Sequence, residues 1–229
     1  MKLFDALLGK TQPIKANLDA LFAMPTAAIT LQTTAGVVPT GRAGVCFKAP
    51  AGQSFADSQH ELDQLLSLDT PDNTGTLASE GTPAGSTPAP GTFTVRHVED
   101  NFGYRWIVLE ADGIEDLVTR VHMVHSTLAD AGWDTQLLCS VFGFTPGSSS
   151  DIGVDVDPDV LAAGANVTVS GALYLVYLAK RGTFYPFAPT GPQTRATELE
   201  LRIKAVLGSD LPVEPELDRW FPLWDLPIA

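Results

Sequence analysis

Ile114, Leu117, Val118, Val121, Val124, His125 and Leu128 recur at spacings of three and four residues, and Gly132 follows as a natural stop. At 3.6 residues per turn this spacing lays one apolar stripe along a helix whose other side is polar. An amphipathic helix of this length draws its stability from the layer it packs on, so the stripe demands a partner surface. The flanking sequence supplies one. From Phe93 the pattern alternates through Val95 and His97, turns at Asp100-Asn101-Phe102-Gly103 and resumes with Trp106 and Val108, as a hairpin does. Residues Gln136 to Phe144 and the almost wholly apolar Ala172 to Ala179 read as further strands.

The remaining elements extend this plan. Asn17 is placed to cap a helix through Leu18, Leu21 and Phe22, which Pro25 interrupts or ends before the apolar stretch Ala27 to Leu31. A strand fits Gly44 to Ala49, and Ser54 with Asp57 resembles a capping pair opening a helix that carries Phe55, Leu62, Leu65 and Leu66. Glu198 to Leu207 forms the last helix, with Glu198–Arg202 and Glu200–Lys204 as i, i+4 pairs and Gly208 as its end. The order lacks the strict strand–helix alternation of a doubly wound sheet. It predicts an α+β fold: an antiparallel sheet of about five strands covered by helices, in one domain over residues 1–229, whose 45% hydrophobic content suffices for a continuous core. Two stretches break the pattern. Residues 69–92 are crowded with Thr, Gly, Pro, Ser and Ala and read as a flexible loop; residues 145–170 read as an irregular insertion containing the strand-like Val167 to Val169.

Charge narrows the function classes. A net charge of -13 argues against a nucleic-acid partner, which draws on clustered Lys and Arg. It also disfavours broad adhesion to anionic lipid, leaving only a local patch such as Lys180 with Arg181. The start, Met1 to Lys10, lacks a small-residue cleavage site and does not read as a secretory signal. Its Met1, Phe4, Leu7 and Leu8 share one helical face, for which docking onto the chain itself is favoured over a membrane role. No apolar run approaches the roughly 18 residues a spanning helix needs. Cys46 and Cys139 sit in strand-like surroundings and are expected as buried thiols in a reducing cytoplasm.

No catalytic, cofactor or metal signature survives inspection. Gly36 to Ala43 has the glycine spacing of a phosphate loop, but Arg42 stands where the lysine belongs and Ala43 where the Ser or Thr belongs. Asp155, Asp157 and Asp159 alternate like the opening of a calcium loop, yet Val160 and Asn166 occupy the glycine and glutamate positions. His122 and His125 could meet a metal with Glu115 or Asp116, but His125 lies on the apolar face, where a hydrogen-bonded core histidine is the commoner outcome. Ser148 to Ser150 sits in the insertion, a poor place to preorganise a nucleophile. The chain is therefore expected not to be an enzyme. The competing reading is an enzyme or small-ligand protein with a pocket between sheet and helices, lined by Trp106, Tyr174 and Tyr177.

The least generic stretch is Lys180 to Pro189, where two cations stand beside three aromatic rings and two prolines. It reads as a rigid loop displaying contact residues, and Lys180, Arg181, Tyr185 and Phe187 are the candidate partner-binding residues. Near-complete burial of the rings would instead make the loop structural. Trp220, Phe221 and Trp224 pose the same choice, folded back on the core or exposed as an anchor. Leu18 to Gln32, Leu137-Leu138-Cys139-Ser140, Lys180 to Pro189 and Arg219-Trp220-Phe221-Pro222 together resemble the actinobacterial phage-shock-protein-A-associated family called PspAB. The resemblance implies a cytoplasmic, non-enzymatic accessory or adaptor protein that binds phage shock protein A (PspA), a helical peripheral membrane protein of the envelope-stress response. Membrane association would then be indirect, through that partner. The element order is also similar to a secretion-chaperone-like two-layer arrangement, in which a sheet surface receives a partner segment.

Overall fold

A computed structural model describes residues 17–48, 60, 64, 75–77, 93–147 and 167–229. The N-terminal amphipathic segment, most of the helix expected after Ser54, most of 69–92 and residues 148–166 lie outside the described residues.

The described residues form seven strands of one sheet, with the strands in the spatial order β2-β3-β4-β1-β5-β6-β7. In chain order these are β1 (Val37–Phe47), β2 (Gly75–Leu77), β3 (Phe93–Glu99), β4 (Arg105–Glu110), β5 (Leu137–Pro146), β6 (Leu173–Leu178) and β7 (Thr183–Phe187). Every pairing is antiparallel except the three-residue β2, which runs parallel to β3 at the edge. A small separate hairpin, β8 (Pro189–Gly191) with β9 (Thr194–Arg195), follows β7. Among the described residues three α-helices are bounded: α1 (Met24–Ala35), α2 (Ile114–Asp130) and α3 (Thr197–Leu207). The fold is α+β as expected, with a sheet larger than five strands.

Both faces of the sheet are covered, so its central strands read as near-continuous apolar runs. On one face Val45, Phe47, Ile107, Phe142, Leu175 and Phe184 meet the helices through Leu31, Val121, Val124 and Ile203. On the other, Cys46, Trp106, Val108, Val141, Tyr174, Val176, Tyr185 and Phe187 form a second core closed by Trp220, Leu226 and Ile228. That cover is the C-terminal segment 212–229, irregular chain apart from one 3₁₀ turn at Leu217–Arg219. It needs close approach: a Cβ on Gly44 would stand 3.0 Å from Trp106 and 3.1 Å from Ile228. Glycine at 44 lets strap and sheet touch.

Several local readings change. Pro25 does not end a helix; it sits in the first turn of α1, where its missing N–H costs nothing, and a 3₁₀ turn over Leu18–Ala23 precedes it. Of the glycine-bearing stretch 36–43, Gly36 ends α1 in a left-handed conformation and Val37 to Ala43 form the first half of β1, bulged between Pro39 and Ala43. The aromatic run is a turn followed by a strand, with Gly182 at φ 67 supplying the left-handed position. The pair Glu198–Arg202 forms, but Glu200 turns inward, away from Lys204.

Candidate partner-binding cleft

The β6–β7 hairpin places the candidate contact residues, and it divides them. Tyr185 and Phe187, expected on the surface, are 1% and 0% exposed. The reason is register: residues 185 and 187 share the face of the sheet that the C-terminal strap covers. The Tyr185 hydroxyl donates to the Phe221 carbonyl at 2.8 Å, and its ring stacks on Trp220 at 6.0 Å. Burial pushes that hydroxyl's pKa far above the ordinary tyrosine range. Phe187 stacks against Tyr174 at 6.3 Å and meets Trp224 edge-on at 5.3 Å. These rings are packing, with no direct access for a partner in this structure.

The cations divide as well. Arg181 donates to Glu214 through Nε at 2.5 Å and Nη2 at 3.1 Å, with Glu216 3.5 Å away. Lys180 is exposed at the turn. The hydrogen bond to Glu214 keeps the guanidinium's pKa raised, and the pair cancels charge that the sequence appeared to display. Glu214 is itself buried, and also accepts from the Thr183 hydroxyl at 2.7 Å and the Glu216 N–H at 3.2 Å. Burial pushes its pKa up, but the Arg181 and Thr183 bonds more than offset that, so the carboxyl is held below its ordinary range.

Glu214 and Glu200 act as two clasps for the strap. The Phe184 N–H donates to the Pro212 carbonyl and the Glu214 N–H to the Phe184 carbonyl, so the strap starts as a short parallel extension of β7. At the second clasp, buried Glu200 accepts from Arg195 Nε at 2.8 and 2.9 Å and from the Ala188 N–H at 2.8 Å. Arg195 Nη1 then reaches the Trp220 carbonyl at 2.7 Å, and its guanidinium lies 5.2 Å from the Phe187 ring centre.

Beyond the second clasp the strap and the β8–β9 hairpin leave a cleft of about 510 Å³. Its lining includes Phe102, Tyr174, Pro189, Pro192, Trp224 and Asp225. Phe102 is 73% exposed at the tip of the β3–β4 turn, and Trp224 is half-buried. Among the described residues, Asp225 contributes the one carboxylate side chain of the lining, and no lysine or arginine faces in. Among the described residues, Gln193 (φ 54) and Asp225 (φ 56) are the non-glycine positions with left-handed backbone, and both line this cleft.

The remaining candidates lie elsewhere. His125 is fully buried between α2 and β5, its Nε2 2.6 Å from Ser140 Oγ and its ring edge-on to Tyr177 at 5.9 Å. Burial, then the neighbouring His122, lowers its pKa to about 4. His122 packs on Phe22 at 5.0 Å. Cys46 and Cys139 are free, buried and directly opposed across β1 and β5. Trp106 and Tyr174 face the strap whereas Tyr177 faces the helices, so the three do not converge on one pocket. No cluster of three metal-type ligands occurs among the described residues, and the acidic run at 155–159 lies outside them.

Sequence reasoning missed Phe102, Trp224 and Asp225 as a group. The turn signal at 100–103 does present Phe102, but nothing in sequence announces left-handed Asp225 or the meeting of the two segments.

The fold and cleft define a class, an α+β protein with a helix layer on one sheet face and an aromatic-lined cleft under a strap on the other. The family model for PspA associated protein B, PspAB, matches residues 1–228, essentially the whole chain, and the chain belongs to this family. The family is named for association with PspA. No curated protein and no solved structure matches the chain. No helix among the described residues is long and apolar enough to cross a membrane.

Proposed function

We propose that this chain is a non-enzymatic accessory protein of the envelope-stress response, an adaptor that binds PspA by protein–protein contact through the cleft beneath the strap. The observation that carries the reading is the family match across 1–228, joined to an accessible aromatic cleft on the same chain. Exposed rings with a proline-rich rim suit protein recognition, where a few buried aromatic anchors supply most of the affinity. The strongly shifted titratable groups, by contrast, are core members: His125 faces the helices and Cys46 lies under the strap, and neither lines the cleft. The body acts in the cytoplasm, and its negative charge keeps it off anionic lipid, so any membrane contact runs through the partner.

Purified PspA from the same organism tests the reading. Immobilised PspA captures the wild-type chain, and crosslinks map to Phe102, Trp224 and the β8–β9 hairpin. Failure of the intact chain to bind would remove the adaptor reading.

A further inference from the structure

The lining of the cleft restricts what enters it. Its volume of about 510 Å³ lies inside the range of small-ligand sites, about 300–1,000 Å³. A whole helix, about 10 Å across with its side chains, is too bulky, whereas two or three residues of extended chain fit. The walls combine rings at Phe102, Tyr174 and Trp224 with Pro189 and Pro192, the surface on which extended proline-bearing segments dock. Among the described residues the one carboxylate side chain of the lining is Asp225, on a chain of net charge -13, so complementarity selects a cation.

Two further observations agree. The rings of this sheet face already accept cations, Arg195 over Phe187 at 5.2 Å and Lys204 over Trp220 at 5.6 Å. Arg195 is paired with Glu200, so its charge is answered before an incoming one arrives. Gln193, after β8, and Asp225, in the strap, both line the cleft with left-handed backbone, and strain at non-glycine residues tends to collect where a ligand is gripped.

We infer that the cleft takes a short extended segment of the partner protein in which an arginine or lysine sits beside proline, the cation resting on the half-buried Trp224 ring and pairing with Asp225. This rests on the adaptor reading and names the chemistry that the site selects.

The test uses the full chain and three N-acetylated, C-amidated peptides, Ala-Pro-Arg-Pro-Ala and its Glu and Ala analogues, followed by Trp fluorescence and calorimetry. The arginine peptide binds about tenfold tighter than the glutamate one, and Asp225→Asn removes most of that difference together with its salt dependence. Phe102→Ser weakens all three peptides; because Phe102 is exposed, the variant keeps its fold. Equal affinity for the arginine and glutamate peptides, or no binding at all, overturns the inference. So does concentration-dependent self-association, seen by ultracentrifugation and abolished by Phe102→Ser, which assigns the cleft to a second copy of this chain. PspA capture is scored separately: capture retained with no peptide preference removes the inference alone, while loss of capture by the wild-type chain removes the adaptor reading and leaves the peptide result to judge the cleft.

Discussion

The two faces of the sheet are built by different means. The helix-covered face is periodic: α2 repeats its apolar residues every third and fourth position, and the strands below answer with alternate side chains. The strap-covered face has no period in its cover, and depends on two buried carboxylates and a chain of rings to hold irregular backbone against the sheet. Periodic burial is spread along whole elements, so the loss of any one side chain is felt by the fold as a whole. A clasped strap concentrates its stability in a few groups, so the same sheet has one face that melts with the fold and one that can loosen ahead of it.

The largest expected effect compares core rings on the two faces. Phe142→Ala and Phe187→Ala each remove a fully buried ring and cost about 3–5 kcal/mol. They differ in where the loss appears. Phe142→Ala lowers the global unfolding midpoint, whereas Phe187→Ala first opens residues 212–229 to protease while the circular dichroism of the sheet stays native. Cleavage that tracks global unfolding in both variants would erase the distinction between the faces.

Acid separates them next. His125 titrates at about 4 when folded against an ordinary 6.5, so between these values the unfolded chain holds the extra proton. The stability that neutral His125 contributes is complete above about pH 6.5 and is lost as pH falls toward 4, on the order of 3 kcal/mol. The double variant His125→Leu with Ser140→Ala removes both partners of the 2.6 Å bond and flattens the difference in urea midpoints across that window. The strap loses stability in the same direction but later. Glu214 is held below its ordinary range, so the contribution of its clasp is whole above the ordinary carboxylate value of 4.5 and is lost as pH falls through the lower folded value. Acid should therefore soften the helix face before the strap, and amide exchange near α2 and near 212–219 reads the order.

A smaller loss comes from the clasp itself. Glu214→Gln keeps the shape but weakens the bonds from Arg181 and Thr183, costing about 2 kcal/mol, with hydrogen-exchange protection lost from the strap before the helices. Lys204→Ala, which removes an ammonium 5.6 Å from the Trp220 ring centre, should change that protection little.

How much of this was legible follows the same division. The stripe of α2, its stop at Gly132 (φ 82), the β3–β4 hairpin and the burial of Cys46, Cys139 and His125 were all readable, because local period and turn chemistry fix them. Lys180 to Pro189 was misread as a displayed loop because rings beside cations look the same whether they face water or a second core. What turns them inward is a strap some thirty residues downstream and its Glu214, a contact that no local window contains. Helix spacing pairs Glu200 with Lys204, and the structure gives it to Arg195 because a buried carboxylate gains more from a guanidinium whose Nε–H is shared by both its oxygens and from a backbone N–H than from an exposed ammonium.

The smallest effect on stability tests the proposed function most directly. Phe102 is exposed on a turn whose shape is set by Asp100, which accepts from the Phe102 and Tyr104 N–H groups and from Trp106 Nε1, each at 2.9 Å. Phe102→Ser leaves all three bonds intact and should shift stability by less than about 0.5 kcal/mol. If the cleft binds the partner, the same change lowers PspA capture about tenfold or more, the behaviour of an interface anchor rather than a core residue. Asp100→Ala releases the turn and lowers capture through misplacement of Phe102, at a measurable cost in stability. Capture lost in both variants with stability lost only in Asp100→Ala would place recognition on the strap-covered face; capture unchanged in Phe102→Ser would move it to another surface of the chain, such as the exposed Phe22 and Ile29 of the helix layer.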